Sequence, residues 1–176
     1  MKKAIICIVG KSGSGKSMVA EVIEKYMGIE LIRSYTTRPR RTHDESGHQF
    51  ITDEEFDAIK KEDMIAFTEF GGARYCCVHK DLKDINLYII DPHGLEYLKN
   101  NFSDRYIIYS ILIKRPEEQR IDAVGRDRVD RDANKFYLPD SYYDVVFENN
   151  SGVKIDIILS VCKCVRDIQR AHAITS

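Results

Sequence analysis

The most constraining feature of this chain is a glycine-rich segment, residues 10–17, that directly follows an apolar run at residues 4–9. A continuous run rich in Ile and Val is typical of a strand that is covered on both faces of a parallel sheet. Residues 16–27 then carry apolar side chains at helical spacing, and Gly28 stands where a C-terminal cap belongs. The segment therefore joins a buried strand to a helix, and its sequence GKSGSGKS matches G-x-x-x-x-G-K-[ST] throughout.

This motif between a strand and a helix predicts a phosphate-binding loop. Glycines let the backbone turn successive N–H groups toward an anion, and the helix N-terminus adds partial positive charge. Lys16 can place its ammonium group on the β- and γ-phosphates, and the Ser17 hydroxyl can coordinate magnesium. We therefore expect ATP and Mg²⁺ to bind here. The predicted ATP-binding residues are Gly10, Ser12, Gly13, Ser14, Gly15, Lys16, Ser17 and Met18.

The rest of the chain alternates strand-like and helical segments. Apolar runs at 87–90 and 106–113 predict two further buried strands, so the pattern indicates an α/β fold with a parallel sheet. Residues 34–78 break this rhythm with short strand-like pieces and a capping box at Thr52, which predicts a small α+β insertion. The charged, arginine-rich segment 116–137 predicts a helical lid. We expect one domain over 1–176, with the core at 1–33, 79–115 and 138–176.

Composition excludes several classes of function. The chain has 27 basic and 28 acidic residues and a net charge of −1, so no overall field draws it to nucleic acid or to a membrane. No apolar run approaches the ~20 residues that span a bilayer, and the N-terminus lacks a cleavage-site pattern. Its five cysteines fit neither a zinc pattern nor an even disulfide framework. Reduced thiols in turn predict a cytoplasmic protein.

A second phosphate site is predicted at residues 34–41, SYTTRPRR. Hydroxyl groups beside a proline-stiffened arginine cluster suit a phosphate monoester, because the planar arginine fork matches phosphate geometry. The segment resembles the S-x-T-T-R-x-P-R pattern of the guanylate kinase family, with one residue missing between Arg38 and Pro39. The resemblance extends over about residues 5–165. It also includes T-x-E-E-F at 52–56, F-T-E at 67–69 with Tyr75, D-P-H-G at 91–94, and Y-D-V-V at 143–146 with Asn149.

This resemblance implies a P-loop kinase three-layer fold with a parallel core sheet, an acceptor-binding insertion at 34–78 and a helical lid. It implies transfer of a phosphoryl group from ATP to a nucleoside monophosphate, with GMP or dGMP preferred. The implied acceptor-binding residues are Ser34, Arg38, Arg41, His48, Glu69, Tyr75, Cys77 and Asp91, with Arg40 as the alternative to Arg41. Glu69 would face the guanine edge, while His48 and Cys77 replace a family Tyr and a family Ser or Thr. The implied catalytic residues are Lys16 and the lid arginines Arg120, Arg126 and Arg131, with Arg128 as a further candidate.

Three alternatives stay open at this point. The departures at His48, Cys76, Cys77 and Ile89 leave room for another phosphorylated acceptor, such as a different nucleotide or a ribose bisphosphate. A non-catalytic guanylate-kinase-like scaffold is disfavoured by the complete P-loop, and a nucleic-acid-dependent ATPase is disfavoured by the lack of a basic surface. We expect small-molecule nucleotide substrates as partners, and neither nucleic acid nor a membrane. The sequence leaves the oligomeric state and the pathway open.

Overall fold

The computed structural model describes residues 2–45, 47–133, 136–151 and 153–174. These residues form eight strands and six α-helices. In chain order they are β1 (Ala4–Val9), α1 (Lys16–Met27), β2 (Tyr35–Thr36), β3 (Gln49–Phe50), α2 (Asp53–Asp57), β4 (Met64–Phe70), β5 (Ala73–Val78), β6 (Ile85–Ile89), α3 (Pro92–Phe102), β7 (Ile107–Lys114), α4 (Glu117–Val124), α5 (Arg126–Arg131), β8 (Val145–Glu148) and α6 (Lys154–Ile174).

A parallel sheet forms the centre of the molecule, as the sequence predicts. Its strand order is β6-β1-β7-β8, and all three pairings are parallel. Every residue of β1 is buried, because neighbouring strands flank it on both sides and helices cover both faces of the sheet. The predicted strands shift only at their ends: β6 begins two residues and ends one residue earlier than expected, and β7 begins and ends one residue later.

Helices cover both faces of this sheet, which gives the three layers. On one face, α1 and α6 pack together over Ile6, Ile8 and Ile111. On the other face, Leu95 and Leu98 of α3 join a second apolar cluster with Ile5, and the insertion closes over the same cluster. The C-terminal edge of the sheet is left for the loops, where ligands bind in open α/β sheets.

The insertion forms its own sheet, with the order β3-β2-β5-β4. The two long strands β4 and β5 make an antiparallel hairpin around Gly71 and Gly72, both of which have positive φ. Helix α2 begins with the predicted capping box between Thr52 and Glu55. The segment 34–78 is thus an α+β unit beside the core sheet, at the edge where the P-loop lies.

The lid segment folds into the two short helices α4 and α5, which meet at Gly125. Residues 134 and 135 of the predicted lid lie outside the described part of the chain. All five cysteines are free, with Cys7, Cys76 and Cys77 buried. Among the helices that the structure describes, none combines the length and the apolar character needed to cross a membrane.

Candidate active site

The loop at residues 10–17 connects β1 to α1 and is shaped by its glycines. A Cβ atom on Gly10 would lie 2.4 Å from the carbonyl oxygen of Ile113, so only glycine fits against β7 at this point. Gly13 and Gly15 have φ values of 79° and 107°, which side chains strongly disfavour. Gly15 is also the N-cap residue of α1, so the loop leads directly into the N-terminus of that helix.

Side chains from elsewhere fix the orientation of the loop's peptide groups. Arg115 donates a hydrogen bond to the carbonyl oxygen of Gly13 at 3.0 Å, and Asn149 donates to that of Ser14 at 2.9 Å. Both carbonyl groups are therefore held outside the loop by neighbouring elements. A loop held in this way can present its N–H groups to an anion without first reorganising.

Lys16 is folded back over the same loop. Its Nζ donates to the carbonyl oxygen of Lys11 at 3.0 Å. Burial lowers the pKa of this ammonium group to about 8, and Arg128 and Arg120 act in the same direction, whereas Asp132 opposes them. A bound phosphate would relieve this unfavourable environment, because an adjacent anion stabilises the charged form of lysine.

One cavity of about 220 Å³ joins the P-loop to the insertion and the lid. Residues from these three parts and from the end of β6 line it. They are Gly10, Ser12 and Lys16 of the P-loop, Ser34, Arg41, His48, Thr68 and Tyr75 of the insertion, Tyr88, Ile89, Ile90 and Asp91 at the end of β6, and Arg131, Asp132 and Phe136 of the lid. The two predicted phosphate sites therefore face each other across one space.

His48 lies at the insertion side of this cavity and contacts two other predicted acceptor residues. Its Nδ1 is 2.9 Å from the hydroxyl oxygen of Ser34, and its ring meets Tyr75 edge-on at 5.6 Å. Burial lowers the pKa of His48 to about 4, and Arg38 adds to the effect. The imidazole is therefore neutral at physiological pH and can act as a hydrogen-bond donor or acceptor according to its tautomer.

The arginine cluster is organised by Glu45. Arg38 binds its carboxylate at 2.6 Å, and the Arg41 backbone N–H donates to the same carboxylate at 2.7 Å. Although burial opposes ionisation, these hydrogen bonds hold the pKa of Glu45 at about 2. Arg41 lines the cavity, whereas Arg40 lies over the Phe50 ring at 4.3 Å. Of the two alternatives, the structure therefore brings Arg41 to the site.

The lid arginines differ in where they lie. Arg120 is only 3% exposed, and its Nε and Nη1 atoms have no hydrogen-bond partner within the described ranges. The same holds for the Nε of Arg128, whose charge acts on both Lys16 and Arg41. Arg131 lines the cavity, while Arg126 is exposed. Arg131 therefore reaches the cavity itself, and Arg120 and Arg128 lie near enough for their charges to act on Lys16.

Two residues expected at the acceptor base are not brought to the cavity. Thr68 lines it, and successive residues of a strand point to opposite faces, so Glu69 points away and is exposed beside Arg74. Cys77 is fully buried in the apolar cluster between the insertion and the core sheet. Asp91 does line the cavity, and its Oδ1 also caps α3 by accepting the Gly94 N–H at 2.7 Å.

Sequence reasoning missed Thr68, Asp132 and Phe136 as cavity residues. A signal for Thr68 exists: the Gly71–Gly72 turn sets the pairing of Thr68 with Tyr75 across the hairpin. Since paired residues share a face, Thr68 follows Tyr75 into the site. For Asp132 and Phe136 the chain offers no such signal, because their positions depend on how the lid packs.

Comparison with known proteins identifies the family of this chain. The family model described as guanylate kinase matches residues 1–152. A guanylate kinase of Thermotoga maritima is 26% identical, over 94% of this chain and 89% of its own length. One from Fusobacterium nucleatum is 28% identical, over 84% and 88%. The crystal structure of guanylate kinase from Anaplasma phagocytophilum has the same fold, with a TM-score of 0.67 and 22% identity over 97% of this chain and 86% of that one. This chain therefore belongs to the guanylate kinase family.

Proposed function

We propose that this enzyme transfers the γ-phosphoryl group of ATP to GMP, forming ADP and GDP. The observation that carries the proposal is that one cavity is lined both by the P-loop and by Ser34, Arg41 and Tyr75 of the insertion. A donor phosphate and an acceptor phosphate bound at these two ends would meet in one space. The relatives from Thermotoga maritima and Fusobacterium nucleatum, which are named guanylate kinases, supply the choice of GMP.

The donor end suits the phosphates of ATP. The P-loop has a held backbone, a buried ammonium group at Lys16 and the N-terminus of the twelve-residue helix α1. Each of these favours negative charge. The exposed Ser17 and the half-buried Met18 follow Lys16 in the first turn of that helix and complete the proposed ATP site.

Magnesium fits the donor set of this site. The described residues hold no group of three or more His, Cys, Asp or Glu side chains that could form a metal cage. Mg²⁺ is commonly held by one or two protein oxygens, water and the phosphates of its nucleotide, so no such cage is required. The Ser17 hydroxyl, exposed in the first turn of α1, is the protein ligand that we propose. The ion would neutralise charge on the donor phosphates.

The acceptor end suits a phosphate monoester. Ser34, His48 and Tyr75 offer three neutral hydrogen-bonding groups, and Arg41 adds a charged fork. Arg38 stands behind them and acts through Glu45, which holds the segment around Arg41 in place. This mixture of neutral donors and arginine binds a dianion more tightly than neutral groups alone, because charge-assisted hydrogen bonds are the stronger ones.

The reaction requires positioning and charge stabilisation more than acid–base chemistry. The attacking oxygen of a monophosphate is ionised near neutral pH, so no residue needs to remove a proton. The γ-phosphoryl group then passes in line from ADP to this oxygen. Lys16 and the lid arginines Arg120, Arg128 and Arg131 would stabilise the charge that spreads over the transferring group. The Nε and Nη1 of Arg120 and the Nε of Arg128 have no hydrogen-bond partner among the described residues, which supports this role, because a buried N–H group without a partner is otherwise costly.

The acceptor base would lie between the insertion and the end of β6. Thr68 and Asp91 line the cavity from these two sides. The Asp91 carboxylate has a second oxygen besides the one that caps α3, and it can accept hydrogen bonds from the N1–H and N2–H₂ donors of guanine. Adenine presents an acceptor at N1 and would leave this carboxylate unmatched, which sites of this kind reject strongly.

A coupled assay of ADP release tests the proposal directly. Purified protein with ATP and Mg²⁺ is offered GMP, dGMP, AMP, CMP, UMP and a sugar phosphate in parallel. We expect kcat/KM for GMP to exceed that for AMP by at least ~100-fold. Preference for another nucleotide or for the sugar phosphate would remove GMP from the proposal and leave a kinase of a different acceptor. No ADP release with any acceptor would remove the kinase activity itself.

A further inference from the structure

Asp132 lies inside the phosphate-binding site although it belongs to the lid. It follows α5 directly, as the C-cap residue of that helix. Its Oδ2 accepts a hydrogen bond from the backbone N–H of Ser12 at 2.5 Å, and the residue is only 5% exposed. The contact joins positions 120 residues apart, so it exists only because the lid is folded onto the P-loop.

The positively charged groups around this carboxylate are those expected around a bound phosphate. Its charge acts on Lys16, and Arg120 and Arg128 act on the same lysine. The Nε of Arg131 is 3.9 Å from its Oδ1. A buried carboxylate requires hydrogen bonds and counter-charges, and Asp132 obtains them from groups that the proposed reaction assigns to the nucleotide.

We infer that the Asp132 carboxylate occupies a phosphate-binding position at the Ser12 N–H and so holds the lid against the P-loop until ATP displaces it. This contact is called the latch below. The inference rests on the proposed ATP-binding role of that loop. One N–H group of Ser12 cannot serve both a carboxylate and a phosphate oxygen, and two anions at contact distance repel each other. ATP binding therefore has to move Asp132, and with it the end of α5.

The latch has a definite cost for nucleotide affinity. Part of the binding free energy of ATP is used to break the contact between Asp132 and the loop, so the observed affinity is lower than that of an unlatched enzyme. In return, before ATP binds, Asp132 offsets part of the positive charge around Lys16 and holds the lid against the P-loop. A residue that bound Mg²⁺ or supported the loop would act in the opposite direction, since its loss would weaken ATP binding.

The sign of the affinity change therefore tests the inference. Dissociation constants for ATP with Mg²⁺, and for pyrophosphate, are measured by titration calorimetry for the wild-type chain, Asp132→Asn and Asp132→Ala. The asparagine variant keeps the shape of the side chain and removes its charge. The matched control is Asp130→Asn, an exposed aspartate on the same helix. We expect both Asp132 variants to bind ATP about 10-fold more tightly and the control to bind within about twofold of wild type.

Other outcomes are equally informative. Unchanged or weaker ATP binding by the folded Asp132→Asn protein, with its unfolding midpoint checked by circular dichroism, overturns the latch. If Asp132→Ala proves unstable, the asparagine variant decides alone. A wild-type chain that binds neither ATP nor pyrophosphate would instead overturn the proposed function. The failure of the inference and the failure of the function are therefore distinguishable.

Discussion

The Nδ1 of His48 and the hydroxyl oxygen of Ser34 are 2.9 Å apart, although 14 residues separate them in the chain. The pairing of β2 with β3 brings them together, since Gln49, next to His48, lies opposite Tyr35, next to Ser34. Two hydrogen-bonding groups are thus held on one wall of the cavity, facing the P-loop. This contact sets the geometry of the proposed acceptor-phosphate site.

Replacing His48 should weaken acceptor binding and leave ATP binding intact. We expect His48→Ala to raise the KM for GMP about 10-fold, because one hydrogen bond to a charged phosphate and the partner of Ser34 are lost. The KM for ATP should change by less than twofold, on the order of an unrelated surface substitution. His43→Ala, at a fully exposed histidine in the same segment, is the matched control. A larger effect on ATP than on GMP would contradict this assignment.

Arg41 and Arg40 are neighbours with different roles. Arg41→Ala should lower kcat/KM for GMP by about 100-fold, because a charged fork on the acceptor phosphate is removed. Arg40→Ala should cost less than about fivefold, since its guanidinium stacks on Phe50 and donates to a backbone carbonyl outside the cavity. Steady-state kinetics on the pair decide between them. Equal losses of kcat/KM in the two variants would mean that Arg40 and Arg41 act only through their positive charge, without a specific contact to the acceptor phosphate.

Lys16 should be essential for phosphoryl transfer but not for folding. We expect Lys16→Ala to lower kcat by at least ~10³-fold, because a cation aimed at the transferring group is removed. Lys25→Ala, at an exposed lysine of the same helix, should behave as wild type. Circular dichroism checks that both variants fold. Near-normal turnover by Lys16→Ala would contradict the assignment of the P-loop as the donor site.

ATP binding should depend on pH through Lys16. Burial lowers the pKa of Lys16 to about 8, so in the absence of ATP the side chain is largely neutral well above pH 8. ATP requires the ammonium form, and binding above this pH therefore takes up a proton. We expect affinity to fall as pH rises from 7 to 9.5, by roughly tenfold per unit once the lysine is neutral. Calorimetry in buffers of different ionisation enthalpy measures the proton uptake, which should be absent in Lys16→Ala.

The acceptor base should be sensed by Thr68 and Asp91 rather than by Glu69. Glu69→Gln changes an exposed residue on the far face of the hairpin, so kcat/KM for GMP should stay within about twofold. Thr68→Val removes a hydroxyl group that lines the cavity and keeps the shape of the side chain, so it should cost about 1 kcal/mol of transition-state binding. A large loss with Glu69→Gln alone would restore the role that family resemblance implies for that residue.

Much of the donor site follows from local sequence. The strand, the glycine-rich loop and α1 occupy the predicted residues, because burial of β1 and the positive φ values of Gly13 and Gly15 are local requirements. The capping box at Thr52 is likewise confirmed. The residue roles within the site, and the cytoplasmic location, stay predictions.

The acceptor site follows from the sequence only in part. Motif resemblance identifies the Ser34–Arg41 segment, but one residue of the family motif is missing there. The sequence alone therefore does not distinguish Arg40 from Arg41 as the residue that binds the acceptor phosphate. The fold separates them, since Glu45 holds the Arg41 backbone while Phe50 takes the Arg40 side chain. The tight hairpin at Gly71 and Gly72 likewise fixes which residues share a face with Tyr75, and Glu69 is not one of them.

The sequence by itself determined the strand–loop–helix unit of residues 4–27, because periodicity, glycine and capping act over a few neighbouring residues. Only the tertiary structure decided which charges meet. Asp132 reaches Ser12 across 120 residues, and the lid arginines lie near Lys16 because α4 and α5 fold over the loop. Such contacts depend on the packing of whole elements, and no local pattern encodes the partner of a charged side chain.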